Sequence, residues 1–159
     1  MKITVLAVGK IKEKFYRQAI EEFEKRLSRY CRLEIIEVSD EKTPDHAGKA
    51  EENLIKDKEG ERLLKYIRDT AYVCAVAFDG EQLDSVAFSR KINQLGLDGK
   101  SSIFFVIGGS LGLHEQVLKR ADYRLSFSKM TFPHQLMRVI LLEQIYRSFR
   151  IINGEPYHK

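Results

Sequence analysis

Short apolar runs alternate along this chain with longer stretches in which apolar residues recur every three or four positions. The runs are Lys2 to Val8, Leu33 to Val38, Tyr72 to Phe78, Ile103 to Ile107 and Tyr123 to Phe127. Each has strand length, and the near-continuous apolar character of Tyr72–Phe78 and Ile103–Ile107 is that of strands covered on both faces. Between them, Glu13 to Tyr30 carries Phe15, Ala19, Phe23, Leu27 and Tyr30 on one side of an amphipathic helix. Lys49 to Asp69 is also helical in period but highly charged, with Ala50, Leu54, Leu63, Leu64 and Ile67 as sparse anchors. Gly60 in its middle predicts a kinked or partly exposed helix. Asp79-Gly80 and the polar loop Glu81 to Asp84 lead to a helix from Ser85 to about Leu95, and His114 to Arg120 fits a short one. Strand and helix alternating five times specify an α/β fold: a mostly parallel, five- to six-stranded sheet with helices on both faces. Without repeats or a separating linker, one domain over residues 1–159 is expected.

The last helix, Pro133 to Arg150, departs from the amphipathic pattern. Pro133 suits its first turn and Thr131 is a candidate cap. Val139, Ile140, Leu141 and Leu142 then point in four directions around the axis, so the helix must be covered on more than one side. A sheet covers one face; in a chain of this size, the same helix of a second subunit is the economical cover for the other.

Composition narrows the chemistry. No run reaches the roughly 18 apolar residues of a membrane span, and MKITVLAVGKIKEKF lacks the form of a signal peptide. Cys31 and Cys74 have no metal-ligand spacing and read as unpaired thiols in a reducing cytoplasm. The net charge of +4 is unevenly spread. Lys119, Arg120, Arg124, Lys129, Arg138, Arg147, Arg150 and Lys159 outweigh Glu115, Asp122, Glu143 and Glu155 in the last third, whereas the first 112 residues balance. Such an excess suits either a polyanionic partner, nucleic acid first, or a solvated basic face.

Candidate chemistry gathers in the same third. Gly108, Gly109 and Gly112 follow a buried strand and precede a helix, in a spacing that matches neither the dinucleotide fingerprint nor a phosphate-binding loop. The loop Ser126 to Phe132 mixes hydroxyls, a lysine and apolar residues. His134 and Arg138 share one face near the positive end of the last helix. Asp79 and Glu81 read as solvated turn residues. No nucleophile–base pair, metal spacing or carboxylate pair appears, so chemistry in which a cofactor carries the reactive group fits better than hydrolysis. A nucleotide-binding oxidoreductase would need its glycines after the first strand, which ends Val8-Gly9-Lys10. A ribosome-associated dimer without a cofactor is the other rival.

The stretches IFFVIGGSLGL and LSFSKMTFPHQLMRVILLEQIYRSFRIINGEPYHK, together with the KITVLAVGK opening, resemble the SPOUT-class RNA methyltransferases, most closely the ribosomal RNA large subunit methyltransferase H family. The resemblance implies an α/β sheet whose C-terminal segment forms a trefoil knot, a threading no pattern would suggest. It implies S-adenosyl-L-methionine held at Val76, Gly108, Phe127, Ser128, Lys129, Met130, Thr131 and Phe132, and no metal. It further implies a homodimer packed through the last helix. The implied reaction is methylation of the N3 ring nitrogen of a pseudouridine in a 23S rRNA hairpin, on the assembled ribosome in the cytoplasm. Lys129, Arg138 and Arg147 would meet rRNA phosphates. The tail motif Pro156-Tyr157-His158 also matches. Tyr157 offers a ring to stack on a base, and the acceptor of the imide proton is His134, His158 or water.

Overall fold

A computed structural model describes residues Met1–Lys159. The elements run β1 (Lys2–Val8), α1 (Lys14–Leu27), β2 (Arg32–Val38), α2 (Lys49–Leu64), β3 (Tyr72–Gln82), α3 (Ser85–Leu97), β4 (Ser102–Ile107), α4 (Glu115–Arg120), β5 (Tyr123–Ser126) and α5 (His134–Ile152). The strands form one sheet in the order β2-β1-β4-β3-β5, and every pairing is parallel. Parallel neighbours need crossovers, and the helices that supply them cover both faces. No helix is long and apolar enough to cross a membrane.

The alternation of side chains along β1 divides the core in two. Ile3, Val5 and Ala7 join Phe105, Ile107 and Leu125 beneath α1, α3 and α5, which contribute Ile20, Leu27, Phe88, Ile92, Leu141, Leu142, Ile145 and Phe149. Leu6 and Val8 face the other way, with Phe104, Val106 and Val73, against Leu63 of α2 and Val117 of α4. Both faces of β1 and β4 are therefore dry, as their continuous apolar sequences require.

Three local expectations are corrected. α2 is continuous through Gly60 and ends at Leu64 rather than near Asp69. Its inward residues are Ile55, Glu59, Gly60 and Leu63, whereas Ala50 is exposed and Leu54 is 53% exposed. Gly60 is a point of contact, not a kink: a Cβ there would lie 3.2 Å from His114 Cβ and 3.3 Å from Val117 Cγ2, so its bare backbone lets α4 approach. Next, β3 does not stop at Phe78. It runs to Gln82 through an irregularity in which Val76 and Glu81 both pair with Leu125, so residues 77–80 bulge outward. Asp79 and Glu81 remain exposed, as expected, but sit on the strand rather than in a turn and have partners: Asp79 pairs with Arg124 at 3.4 Å, and Glu81 accepts from the Tyr123 hydroxyl at 2.7 Å. Finally, α5 is preceded by Pro133 with no side-chain cap, and Thr131 is exposed at the loop. Proline fixes the entry angle here, and the free helix N-terminus is left facing the loop.

Candidate active site

The C-terminal ends of β3, β4 and β5 open into a cavity of about 650 Å³. Ligands of open parallel sheets collect at this edge, because strand-end loops and helix N-termini point their polar backbone groups there. One wall is the loop Gly108–Gly112 after β4; the opposite wall is Ser126–Pro133 after β5; Val76, Ala77 and Phe78 of the β3 bulge close a third side. His134 and Met137 of α5 complete the lining.

Glycine is demanded in the first wall by the loop itself. A Cβ on Gly108 would sit 2.7 Å from the carbonyl carbon and oxygen of Gly112, and Gly112 has φ +87°. The loop folds back on itself, with the Gly112 amide donating to the Gly109 carbonyl at 3.0 Å, tighter than any side chain would permit. Beneath it lies a residue that the hydropathy pattern missed. Glu59 of α2 is 5% exposed, and its carboxylate would lie 3.2 Å from a Cβ on Gly109. It accepts from the Glu41 amide at 3.0 Å, and burial raises its pKa above the usual carboxylate value. A charged residue at an inward helical position was the available signal.

The second wall carries unused donors. Among residues 127–132 only the Met130 amide is satisfied, by the Ser128 hydroxyl at 3.0 Å; the other amides donate to no backbone acceptor. Ser126 donates its hydroxyl to the Ser128 carbonyl at 3.0 Å, which holds the loop in a tight turn. Free amides beside Phe127, Phe132 and Ile107 give the cavity both polar edges and apolar faces, the combination a heteroaromatic base requires.

His134 stands half-buried in the wall, with its pKa lowered first by burial and then by the Arg138 guanidinium. It is therefore a neutral imidazole near pH 7, able to accept a proton. The two thiols are not poised for reaction: burial pushes Cys31 up to about 11 and Cys74 up to about 12.

Of the site residues expected from the sequence, Val76, Gly108, Phe127, Ser128, Met130, Thr131, Phe132 and His134 line the cavity together. Lys129 does not; its side chain is exposed outside the lining. Arg138 must be corrected as a phosphate contact. It is 1% exposed, pairs with Glu37 at 2.5 Å and donates to the carbonyls of Val8 and Gly9 at 3.0 and 2.6 Å. It fastens α5 to the end of β1 and cannot reach RNA. Arg147, Tyr157 and His158 lie together at the far end of α5. Arg147 pairs with Glu143 at 2.6 Å, covers the Tyr157 ring at 4.7 Å and donates to His158 Nδ1 at 3.2 Å. At 1.5 Å rise per residue, thirteen residues of helix put Arg147 roughly 20 Å from His134.

Comparison with known proteins agrees with this architecture. The family described as "Predicted SPOUT methyltransferase" matches residues 1–158. Proteins named ribosomal RNA large subunit methyltransferase H align over the full length of both chains: 65% identical from Bifidobacterium adolescentis, 63% from Clostridium kluyveri and 61% from Clostridium tetani. Among solved structures, a probable methylase family protein from Haemophilus influenzae Rd KW20 superposes with a TM-score of 0.56, covering 99% of this chain and 70% of that one. At 14% identity that likeness speaks for the fold alone. With the family matched along essentially its whole length, the chain belongs to the SPOUT methyltransferases.

Proposed function

We propose that this protein methylates the N3 ring nitrogen of a pseudouridine in a hairpin of large-subunit (23S) rRNA, using S-adenosyl-L-methionine, on the assembled ribosome in the cytoplasm. The observation that carries the reading is the cavity between the glycine loop and the 126–133 loop, with a neutral histidine in its wall. S-adenosylmethionine, when bound, supplies a methyl group activated on a sulfonium for attack by a ring nitrogen. The chain's own residues fit it. The free amides of residues 127–132 can pair with the edge of an adenine, Phe127, Phe132 and Met137 can pack on its faces, and the bare backbone at Gly108–Gly112 leaves room alongside.

Two tasks remain for the protein: aligning nitrogen and methyl group, and taking the imide proton. Alignment falls to the two loops. For the proton, His134 is in the wall, whereas Tyr157 and His158 stand about 20 Å away along α5 and cannot serve the cavity of their own chain. A homodimer resolves this separation. On α5, Leu142 is fully buried, whereas Leu136 and Ile140 are half-buried and belong to neither core cluster. Glu143 and Arg147 continue the same face, and Tyr157 lies on it. Packing two such faces antiparallel about a two-fold axis brings the tail of one subunit beside the His134 end of the other. Lys129, exposed at the loop, and Arg147 remain the candidates for phosphate contacts.

The test is calorimetric titration with S-adenosylmethionine, S-adenosylhomocysteine and NAD, followed by methyl transfer to ribosomes and to naked rRNA. Binding of the first two alone, with transfer efficient on ribosomes and poor on naked rRNA, is expected. A chain this small has little surface with which to select one nucleotide by itself. Failure to bind the methyl donor would sink the reading.

A further inference from the structure

The last nine residues are not a loose end. After α5 the chain reverses at Gly154, where φ is +65°, and the Glu155 amide donates to the Arg150 carbonyl at 2.9 Å. The Glu155 carboxylate is then gripped from two sides. Arg150 pairs with it through Nη1 and donates from Nη2 to the Pro156 carbonyl at 2.8 Å. Tyr30, in the turn after α1, donates its hydroxyl to Glu155 Oε2 at 2.8 Å, with Oε1 at 3.0 Å, and accepts from Arg150 Nη1 at 3.0 Å. Two residues on, Tyr157 donates to Glu143 Oε1 at 3.0 Å and meets the edge of Tyr146 at 4.9 Å.

We propose that Tyr30, Arg150 and Glu155 form a clasp that sets the orientation of the Tyr157–His158 tail, and that Tyr30 is a positioning residue for methyl transfer. The inference rests on the reading that this tail takes part in the reaction. Ordering a terminal segment costs on the order of 1 kcal/mol or more per residue in backbone entropy. A terminal segment with nothing to hold it frays, whereas the Arg150 and Glu155 side chains here are 17% and 28% exposed, half-buried against the fold. Here it is held at residue 155 and again at residue 157, which fixes the direction of the backbone between them. His158 follows directly, exposed, with its Nδ1 accepting from Arg147.

Tyr30 has a distinct place in the clasp. Every other hydrogen bond to residues 154–159 comes from α5 or from the tail itself. The Tyr30 phenol alone ties the tail to a different part of the fold. Its ring is in turn immobilised: it stacks on Phe149 with centroids 5.6 Å apart and planes 9° from parallel, and meets the edge of Tyr146 at 6.1 Å. A rigid donor thus fixes Glu155 from outside the helix on which the tail folds back. Being at the same end of α5 as the tail, Tyr30 is remote from its own chain's cavity, and any effect on transfer must pass through the tail.

Single-turnover methyl transfer to ribosomes, in the full-length protein and in a chain ending at Gly154, tests this. Tyr30→Phe keeps the ring and its stacking and removes only the hydroxyl. In the full-length protein the transfer rate should fall about fivefold, the equivalent of one net hydrogen bond, with affinity for S-adenosylmethionine and for ribosomes unchanged. In the truncated chain the same substitution should change nothing further. Glu155→Gln approaches the clasp from the other side; its effect should match that of Tyr30→Phe, and the double variant should be no worse than either. An equal fall in both backgrounds would show that Tyr30 acts through stability and overturn the clasp. So would an unimpaired Tyr30→Phe enzyme when truncation itself abolishes transfer. A truncated chain as active as the full-length one would instead remove the tail from the reaction, and the clasp with it.

Discussion

At the scale of single residues, Arg138 and His134 show how one helix turn serves both the fold and the site. Arg138 carries a full charge at 1% exposure, which is tolerable only because Glu37 and two carbonyls of the β1 end accept hydrogen bonds from it. The same charge, facing a half-buried imidazole one turn away, adds to burial in keeping His134 neutral; Lys12 acts in the same sense and Asp40 opposes them. A folded-state pKa below 6.5 means that the unfolded chain binds a proton here before the folded one does. The contribution to stability is therefore complete above about pH 6.5 and is lost as pH falls from there through the lowered value. The urea midpoint of the natural protein should drop between about pH 7.5 and pH 5.5 by more than that of His134→Gln, which has nothing to titrate at this position. Parallel pH profiles for the two proteins would contradict a depressed His134.

At the scale of elements, the β3 bulge is the feature on which the cavity wall depends. Residues 77–80 leave the ladder and return to pair again at Glu81, and Phe78 at the bulge is 78% exposed while lining the mouth of the cavity. The return requires Gly80. A Cβ there would lie 2.6 Å from the Leu125 carbonyl carbon and 2.7 Å from that of Arg124, both backbone atoms with no freedom to yield. Gly80→Ala should destabilise the protein by about 2 kcal/mol, as overpacking does. It should also weaken methyl-donor binding, because β5 and the loop it feeds must shift. Unchanged urea midpoint and affinity would show that the bulge relaxes freely. Little of this was legible in advance. Asp79-Gly80 looked like an ordinary turn because sequence period registers which side chains face a core and says nothing about two backbones in contact. The strands and helices themselves were legible, since their burial follows from period alone. Gly60 and Arg138 were misread for a shared reason: each is placed by a neighbour distant in sequence, α4 for one and β1 with Glu37 for the other. The cavity residues Val76, Gly108, Phe127, Ser128, Met130, Thr131 and Phe132 were reached through family likeness, which also brought in Lys129, outside the lining; spacing alone left the glycine loop open between a turn and a site.

At the scale of the whole molecule, the cavity and the tail are both built into one chain and yet held apart by the length of α5. In the proposed homodimer the two come together, which makes the outer face of α5 decisive. Ile140 is the residue to alter, because it is apolar, half-buried and outside both core clusters, whereas Leu142 is fully buried against the sheet. Ile140→Glu should shift sedimentation from dimer to monomer while the fold persists; Leu142→Glu should instead unfold the chain, since a buried unpaired carboxylate has no compensation. The Ile140→Glu monomer keeps every residue that lines the cavity, so it should still bind the methyl donor. Its transfer rate should nevertheless fall by about a hundredfold or more, the range supplied by a positioned proton-transfer group. Mixed dimers sharpen the point. A chain lacking Glu155–Lys159 but with an intact cavity, paired with a His134→Ala chain that keeps its tail, contains one complete site made from two incomplete subunits. Coexpression of the two should recover activity that neither homodimer has. If mixing recovers nothing while both chains dimerise, the tail must act within its own subunit, and the roughly 20 Å of helix between them would have to be bridged by RNA.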